Sequence, residues 1–403
     1  MLLFHHRWPV RARALVACLF GAIGQGSSAG AQLVSSGASA DVIGGWQLAM
    51  GASGAWRSNL QLEPSANANG LATAILSGEG SRFWQGRTDR VVLAVGGSIL
   101  RIPQQPELDR EAYDLSVLGL HQFTRRANLS ASARASAGIT NRGITSDGDG
   151  ALLPGFVVAR SEEAATNASY VISRRTTGMV SAVAQRVAID GRQDSRGSRR
   201  TVNADVTHRQ GRFTTVGARV SYQSSESQGV SASAPQAAAT AEHQLTQRVS
   251  LTLAAGVAYV TTTGQPSSKT LTGASSVAYR GSRSDFALGA QRTVGQEFGR
   301  ETPAVQVTNG VALTAGRRLL SAWRLSGALA QIWSRSLSQD RLAVRSTVGN
   351  ATASYALRAG PQLEFSVSAA RRSGTFTTQD YGVSAGLGYA WSTLRRKSAS
   401  GGA

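Results

Sequence analysis

Val249-Ser-Leu-Thr-Leu-Ala-Ala-Gly-Val-Ala-Tyr259 decides how this chain is read. Val249, Leu251, Leu253, Ala255, Val257 and Tyr259 fall on one face, and Ser250, Thr252, Ala254, Gly256 and Ala258 on the other. A repeat of two belongs to a strand with one apolar and one polar face. The alternation returns where Leu363, Phe365 and Val367 are interleaved with Gln362, Glu364, Ser366 and Ser368. It returns again where Tyr381, Val383, Ala385, Leu387, Tyr389 and Trp391 are interleaved with Gly382, Ser384, Gly386, Gly388 and Ala390. No segment shows the 3.6-residue period of an amphipathic helix. The apolar-polar segments run longer than the usual globular strand of about 5–6 residues.

The connections alternate between short and long. Short turns fall at Thr124–Arg126, Arg174–Thr177, His208–Arg212, Thr246–Arg248, Arg280–Ser284, Gly316–Leu319 and Ala359–Gln362. Longer polar stretches lie between them, at 102–112, 140–152, 190–200, 223–236, 261–269, 295–303, 334–344 and 371–380. Hairpins with short turns at one end and long loops at the other are the plan of a transmembrane β-barrel. A soluble solenoid or tandem sandwich has shorter strands and no such alternation. The fold expected is all-β: one closed antiparallel transmembrane barrel of about 18 strands, with sixteen the next count. An even count places both termini on the short-turn side, which is periplasmic in this class. A ten-residue strand tilted by about 45° rises roughly 24 Å, enough for the apolar band of such barrels. Trp46, Trp56, Tyr113, Phe123, Phe213, Tyr222, Tyr259, Tyr279, Trp323, Trp333, Tyr389 and Trp391 sit near strand ends, as interfacial girdles require. Residues 151–165, with Phe156-Val-Val-Ala-Arg160, read either as an extra hairpin or as a loop folding inward.

Composition agrees. Of 403 residues, 16% are charged, too few for a disordered chain, and 45 are glycine. No run after the N-terminus reaches the ~18 apolar residues of a membrane helix. The first 31 residues read as a secretory signal, with a basic start (Arg7, Arg11, Arg13) and an apolar run at 14–23. Ala29 and Ala31 supply the small residues before the cut. Leu15-Val-Ala-Cys18 has the look of a lipobox, but the apolar residues continue past Cys18. Residues 32–47 are then an N-terminal periplasmic segment, 48–391 the barrel and 392–403 a C-terminal tail. Cys18 is the only cysteine and leaves with the signal, so disulfides, thiolate metal sites and cysteine nucleophiles are excluded from the exported chain. Removing three arginines from the formal +19 leaves +16, nearly all of it arginine. The arginines lie in turns rather than along one helix, so nucleic acid is not the expected partner.

The last strand resembles the C-terminal assembly signal of Gram-negative outer-membrane barrels, with Ser384, Gly386, Tyr389 and Trp391 matching in order. The tail beyond Trp391 departs from that signal, which usually ends the chain. The whole plan resembles the porin-like barrels. More faintly, the arginine-rich barrel resembles porins found with exopolysaccharide export systems. These resemblances imply the outer membrane as location. They imply its lipid and lipopolysaccharide, the barrel assembly machinery and polysaccharide export proteins as partners.

Little in the chain suggests bond chemistry. His121, His208 and His243 are the only histidines beyond the signal, and Asp205 and His208, three apart on a strand, point to opposite faces. Glu242 and His243 likewise face apart. No cluster has metal-ligand spacing, and Asp147 and Asp149 lack the Glu that closes a calcium loop. No catalytic residue, metal or cofactor is expected. The inward register places Asp114, Arg219, Gln291, Arg324, Asn350, Arg358 and Glu364 in or near the lumen. Paired arginines at 125–126, 174–175 and 317–318 sit at short turns, where they can snorkel to lipid phosphate or form a positive vestibule. Arg192, Arg196, Arg199 and Arg200 are expected outside, within reach of lipopolysaccharide phosphate. The function expected is passive diffusion of small hydrophilic solutes with mild anion preference. The alternatives are a barrel accessory to exopolysaccharide export, a structural or adhesive barrel acting through loops such as 223–236, and an outer-membrane hydrolase.

Overall fold

Eighteen strands run up and down in chain order: Val42–Arg57 (β1), Leu71–Gln85 (β2), Asp89–Arg101 (β3), Arg110–Gln122 (β4), Ala127–Thr140 (β5), Val157–Val171 (β6), Thr176–Ile189 (β7), Arg196–Arg209 (β8), Thr214–Ser227 (β9), Val230–Gln244 (β10), Val249–Thr262 (β11), Ser268–Arg280 (β12), Ser284–Gln296 (β13), Val305–Arg318 (β14), Trp323–Ser336 (β15), Val344–Ala356 (β16), Gln362–Ser373 (β17) and Thr377–Ser392 (β18). A two-residue continuation, Arg395–Arg396 (β19), pairs with Val42 and Gly44. The computed structural model describes residues 42–58, 70–106, 109–140, 157–189, 196–227, 229–296, 305–320, 322–337, 344–357, 360–373, 377–392 and 395–396. Ala29, Ala31, Asp147, Asp149 and Arg358 lie outside them.

Every strand pairs antiparallel with its chain neighbours, and β1 closes on β18 from Gln47↔Ser392 to Arg57↔Gly382. The result is a closed all-β barrel. Closure has a direct cause: hydrocarbon offers no water to an unpaired amide, so a membrane sheet has no free edge. Alternation then sorts the side chains. On β1 the exposed residues include Trp46, Leu48, Met50 and Trp56, while Ala49 between them is buried. Trp46 and Trp56, ten residues apart on β1, mark the two ends of the lipid-facing band. Tyr381 and Trp391 do the same on β18. Ten residues of tilted strand rise roughly 24 Å. These girdles and this closed sheet are those of an outer-membrane barrel.

The short turns are built alike. Thr124 Oγ1 accepts hydrogen bonds from the amides of Arg126 and Ala127, at 3.1 and 3.0 Å. Ser173 Oγ accepts from Arg175 and Thr176, at 3.2 and 3.1 Å, and Thr246 Oγ1 from Arg248 and Val249, at 3.1 and 3.0 Å. A hydroxyl one step before the bend satisfies amides that the ladder cannot reach. One short turn escapes the sequence reading: residues 86–88, where the Gly86 amide donates to the Asp89 carbonyl at 2.8 Å.

Four expectations need correction. Within the region 151–165, the described residues from Val157 onward are neither hairpin nor loop but the first half of β6, paired to β5 and β7. The stretch 223–236 is no long loop. Ser227 at the end of β9 already pairs with Val230 at the start of β10, and Gly229 before it has φ +76°. Pro235 suggests a loop, yet it lies inside β10, where the ladder to β11 skips Ala234 and Pro235. A proline has no N–H to give, so it is tolerated where pairing is interrupted. Finally, β1 begins at Val42 rather than 48, and β8 already includes Arg196, Arg199 and Arg200.

Close packing between strands yields a test. A Cβ added at Gly256 would lie 2.4 Å from the Ala237 carbonyl oxygen, whereas one at Gly78 meets nothing within 4 Å. Gly256→Val is expected to lose about 1–3 kcal/mol of stability and Gly78→Ala to lose little. Urea titrations of the heat-modifiable folded form measure both; equal midpoints would contradict the packing described.

Candidate pore lining

Pairing fixes which residues face inward. On β4, Tyr113 and Leu115 are exposed on the lipid side, so Asp114 between them points to the lumen. The same parity turns Arg219, Gln291, Arg324, Asn350 and Glu364 inward. Hydroxyls dominate the rest of the inward face. Thr308 and Ser334 bond across β14 and β15 at 3.4 Å, and Ser366 and Ser384 across β17 and β18 at 2.6 Å.

The inward arginines that meet carboxylates do so as discrete pairs. Arg134 Nε donates to Asp114 Oδ2 at 2.6 Å, and Arg219 Nε to Asp205 Oδ1 at 2.6 Å. Arg57 Nη1 donates to Asp380 Oδ2 at 3.0 Å, joining β1 to β18 across the closing seam. Near the short-turn end Arg324 Nη2 stands 4.0 Å from Asp285 Oδ1, and both side chains are more than half exposed. Glu79, Gly96 and Asp114 follow one another along a row of paired residues across β2, β3 and β4. The mid-lumen arginines Arg134 and Arg219 therefore stand in ion pairs rather than in a ring of positive charge. Asp205 and Arg134 were not singled out from sequence. Their inward parity was the available signal, but Asp205 was weighed only against His208, which faces the other way.

Arg199 also turns inward and is buried, while Arg200 keeps to the outer face. The expectation that both lie outside in a loop fails for Arg199, because β8 starts at Arg196 and parity sends alternate residues inward.

One wall of the barrel is broken. β12 and β13 pair from Arg280↔Asp285 up to Gly273↔Arg292 and no further. Above that point β13 and β14 remain paired to each other up to Gln296↔Val305, but they part from β12 and lean into the lumen. Val294 and Val305 pack with Ala232 and Val260, which face inward from β10 and β11. Arg292 sits in the fork. Its Nε donates to the Leu271 carbonyl at 3.0 Å, and Nη2 and Nη1 reach Thr270 Oγ1 and Asn309 Oδ1 at 3.5 and 3.4 Å. The guanidinium thus supplies β12 with a donor that β13 no longer provides. The leaning hairpin narrows the passage on that side. Nothing in the local pattern of β13 announces this, since its alternation is unbroken.

The histidines stand at the short-turn rim on the outer face. His121 Nδ1 lies 2.5 Å from Asp89 Oδ1, His208 Nδ1 3.0 Å from Thr176 Oγ1, and His243 Nδ1 2.8 Å from Thr214 Oγ1. Each links the last turn of a strand to the start of its neighbour. Asp205 and His208 face opposite ways, as expected from their spacing. Among the described residues, no three His, Cys, Asp or Glu side chains gather where a metal could bind.

Solved structures share this architecture. Pseudomonas aeruginosa OccK2 (OpdF) aligns with 87% of this chain and 98% of its own, at TM-score 0.52 and 12% identity. The same protein in complex with glucuronate aligns over 87% and 98%, at TM-score 0.50 and 12% identity. The shared architecture is the closed antiparallel β-barrel. No family model matches the sequence, and no curated protein matches it. At this identity the likeness speaks for the fold.

The broken ladder in this barrel is testable with cysteine pairs, since Cys18 is the only native cysteine and can be replaced by serine. Ala274→Cys with Gln291→Cys, partners in the ladder, is expected to oxidise readily to a disulfide. Thr272→Cys with Thr293→Cys, one step above the break, is expected to stay reduced. Free-thiol labelling reads both, and equal oxidation would show an unbroken wall.

Proposed function

We propose that this barrel is a channel for passive diffusion of small hydrophilic solutes, with a mild anion preference set at its short-turn mouth. The observation that carries the reading is the inward face itself: a hydroxyl-rich surface whose mid-depth arginines Arg134 and Arg219 are matched to carboxylates. Such a lining hydrates polar solutes without holding any one of them. Arg90, Arg209, Arg280, Arg318 and Arg324 share the inward parity at the short-turn end, where Glu242, Asp285 and Glu364 are their acidic counterparts. Fixed positive charge is thus in excess at this mouth, where screening by salt is strong and preference is correspondingly mild. No bond chemistry is required of the barrel; selection is by width at the leaning β13–β14 hairpin and by this field.

Planar-bilayer recordings under a salt gradient test the proposal. Steady conductance with a reversal potential of anion-selective sign is expected, and Arg318→Glu with Arg324→Glu should move that potential towards cation selectivity. Glucuronate, present in the structure of OccK2, is the first organic anion to try as a permeant solute. A folded barrel that does not conduct would overturn the channel reading.

A further inference from the structure

Five arginines share one arc of the short-turn rim, on the lumen side. Arg280 and Arg318 end β12 and β14, Arg324 lies at the start of β15, and all three have inward parity. Arg248 and Arg283 sit in the turns beside them. The Arg280 amide donates to the Arg248 carbonyl at 2.8 Å, and the Arg318 amide to the Arg283 carbonyl at 2.7 Å. Arg318 is the direct ladder partner of Arg324. Strands stand about 5 Å apart, so the arc from β11 to β15 spans roughly 20 Å. All five residues are exposed.

Among the described residues, few acids answer them. Asp285 is the ladder partner of Arg280, and its Oδ1 stands 4.0 Å from Arg324 Nη2. Glu364 lies two strands from Arg324, along the row through Ser354. Glu242 on β10 is level with Ser276 of β12, above the arc. Ser321, Arg358 and Ala359, which stand between short-turn strands, include no acid, nor does the sequence after Arg396. The sequence before β1 has one, Asp41. Even with Asp41 counted, the arginines outnumber the acids here. Like charges directly opposite each other weaken a ladder, so Arg318 beside Arg324 is a cost that an anion between them removes. Guanidinium forks match carboxylate and phosphate oxygens with paired, charge-assisted hydrogen bonds. One such contact in water is weak, and several made by one anion reinforce one another.

We infer that Arg283, Arg318 and Arg324, extended by Arg280 and Arg248, form a binding site for compact oxyanions that carry two or more negative charges. Asp285 tunes the site by competing for Arg280 and Arg324. Short turns face the periplasm in this class, so the anions are met from that side. The site deepens the channel reading by naming a class of anion that gathers at this mouth, and it is measured without current.

The test uses the full barrel folded in non-ionic detergent at low salt and checked by heat-modifiability. Calorimetric titrations compare citrate and pyrophosphate with acetate. Both multivalent anions are expected to bind at least about tenfold more tightly than acetate, in line with one further charge-assisted hydrogen bond. Arg283→Gln with Arg318→Gln should abolish that preference, while Arg125→Gln with Arg126→Gln, elsewhere on the same rim, should leave it unchanged. Asp285→Asn should tighten citrate binding, because it frees two arginines from a competing carboxylate. Should the double variant fail to fold, Arg283→Gln alone, a change in an exposed turn, is expected to weaken citrate and not acetate. Equal binding of the three anions, a preference retained in the double variant, equal loss in the Arg125–Arg126 variant, or weaker citrate binding in Asp285→Asn would each overturn the site. A barrel that binds citrate without conducting would uphold the site and count against the channel alone.

Discussion

A backbone amide in hydrocarbon has no water to turn to, and each feature of this barrel answers that constraint. Strands are long because a tilted strand must cross the whole apolar band. β1 and β18 meet because an open edge is not tolerated, and Arg57–Asp380 adds an ion pair across that seam. Where the ladder does fail, a substitute appears. Arg292 donates to the Leu271 carbonyl at the β12–β13 fork. Pro235 sits where β10 makes no ladder bond to β11. The hydroxyls of Thr124, Ser173 and Thr246 serve the turn amides in the same way.

Charge is distributed by the same logic of desolvation. An arginine within the barrel wall is costly unless paired or wet, so Arg134 and Arg219 take carboxylate partners on the lumen side. Further arginines gather at the two rims, where water and lipid phosphate are available. A chain with formal charge +19 can therefore have a mid-lumen of modest charge. The net charge of a barrel says little about its selectivity until the residues are assigned to wall, lumen and rim.

Most of the architecture was legible because period two and turn chemistry are local signals. The strand from Val249 and the short turns at Thr124–Arg126 and Thr246–Arg248 could be read directly. Inward parity for Asp114 or Glu364 followed from the apolar residues beside them. What was not legible is what depends on strands distant in sequence. Pro235 and the polar run around it look like a loop, and only the partners on β9 hold them in a strand. The first half of β6, from Val157 to Ala165, contains adjacent glutamates that weaken its alternation, and its neighbours β5 and β7 impose the strand. The fork at Gly273↔Arg292 left no mark on either strand, because it arises from apolar packing of Val294 and Val305 against β10 and β11.

The seam also governs the order of events during folding. Leu48 pairs with Trp391, and the two are 391 − 48 = 343 residues apart in the chain. Seventeen hairpin pairings can form as soon as their own two strands exist, but this pairing must wait for the last strand. Contacts of such separation form slowly, since loop-closure entropy is lost before they reward it. Until then, every growing sheet exposes two raw edges, one at β1 and one at its newest strand. The interval before closure is when this chain is most open to wrong partners, and shielding those edges is a kinetic requirement that the finished barrel no longer displays.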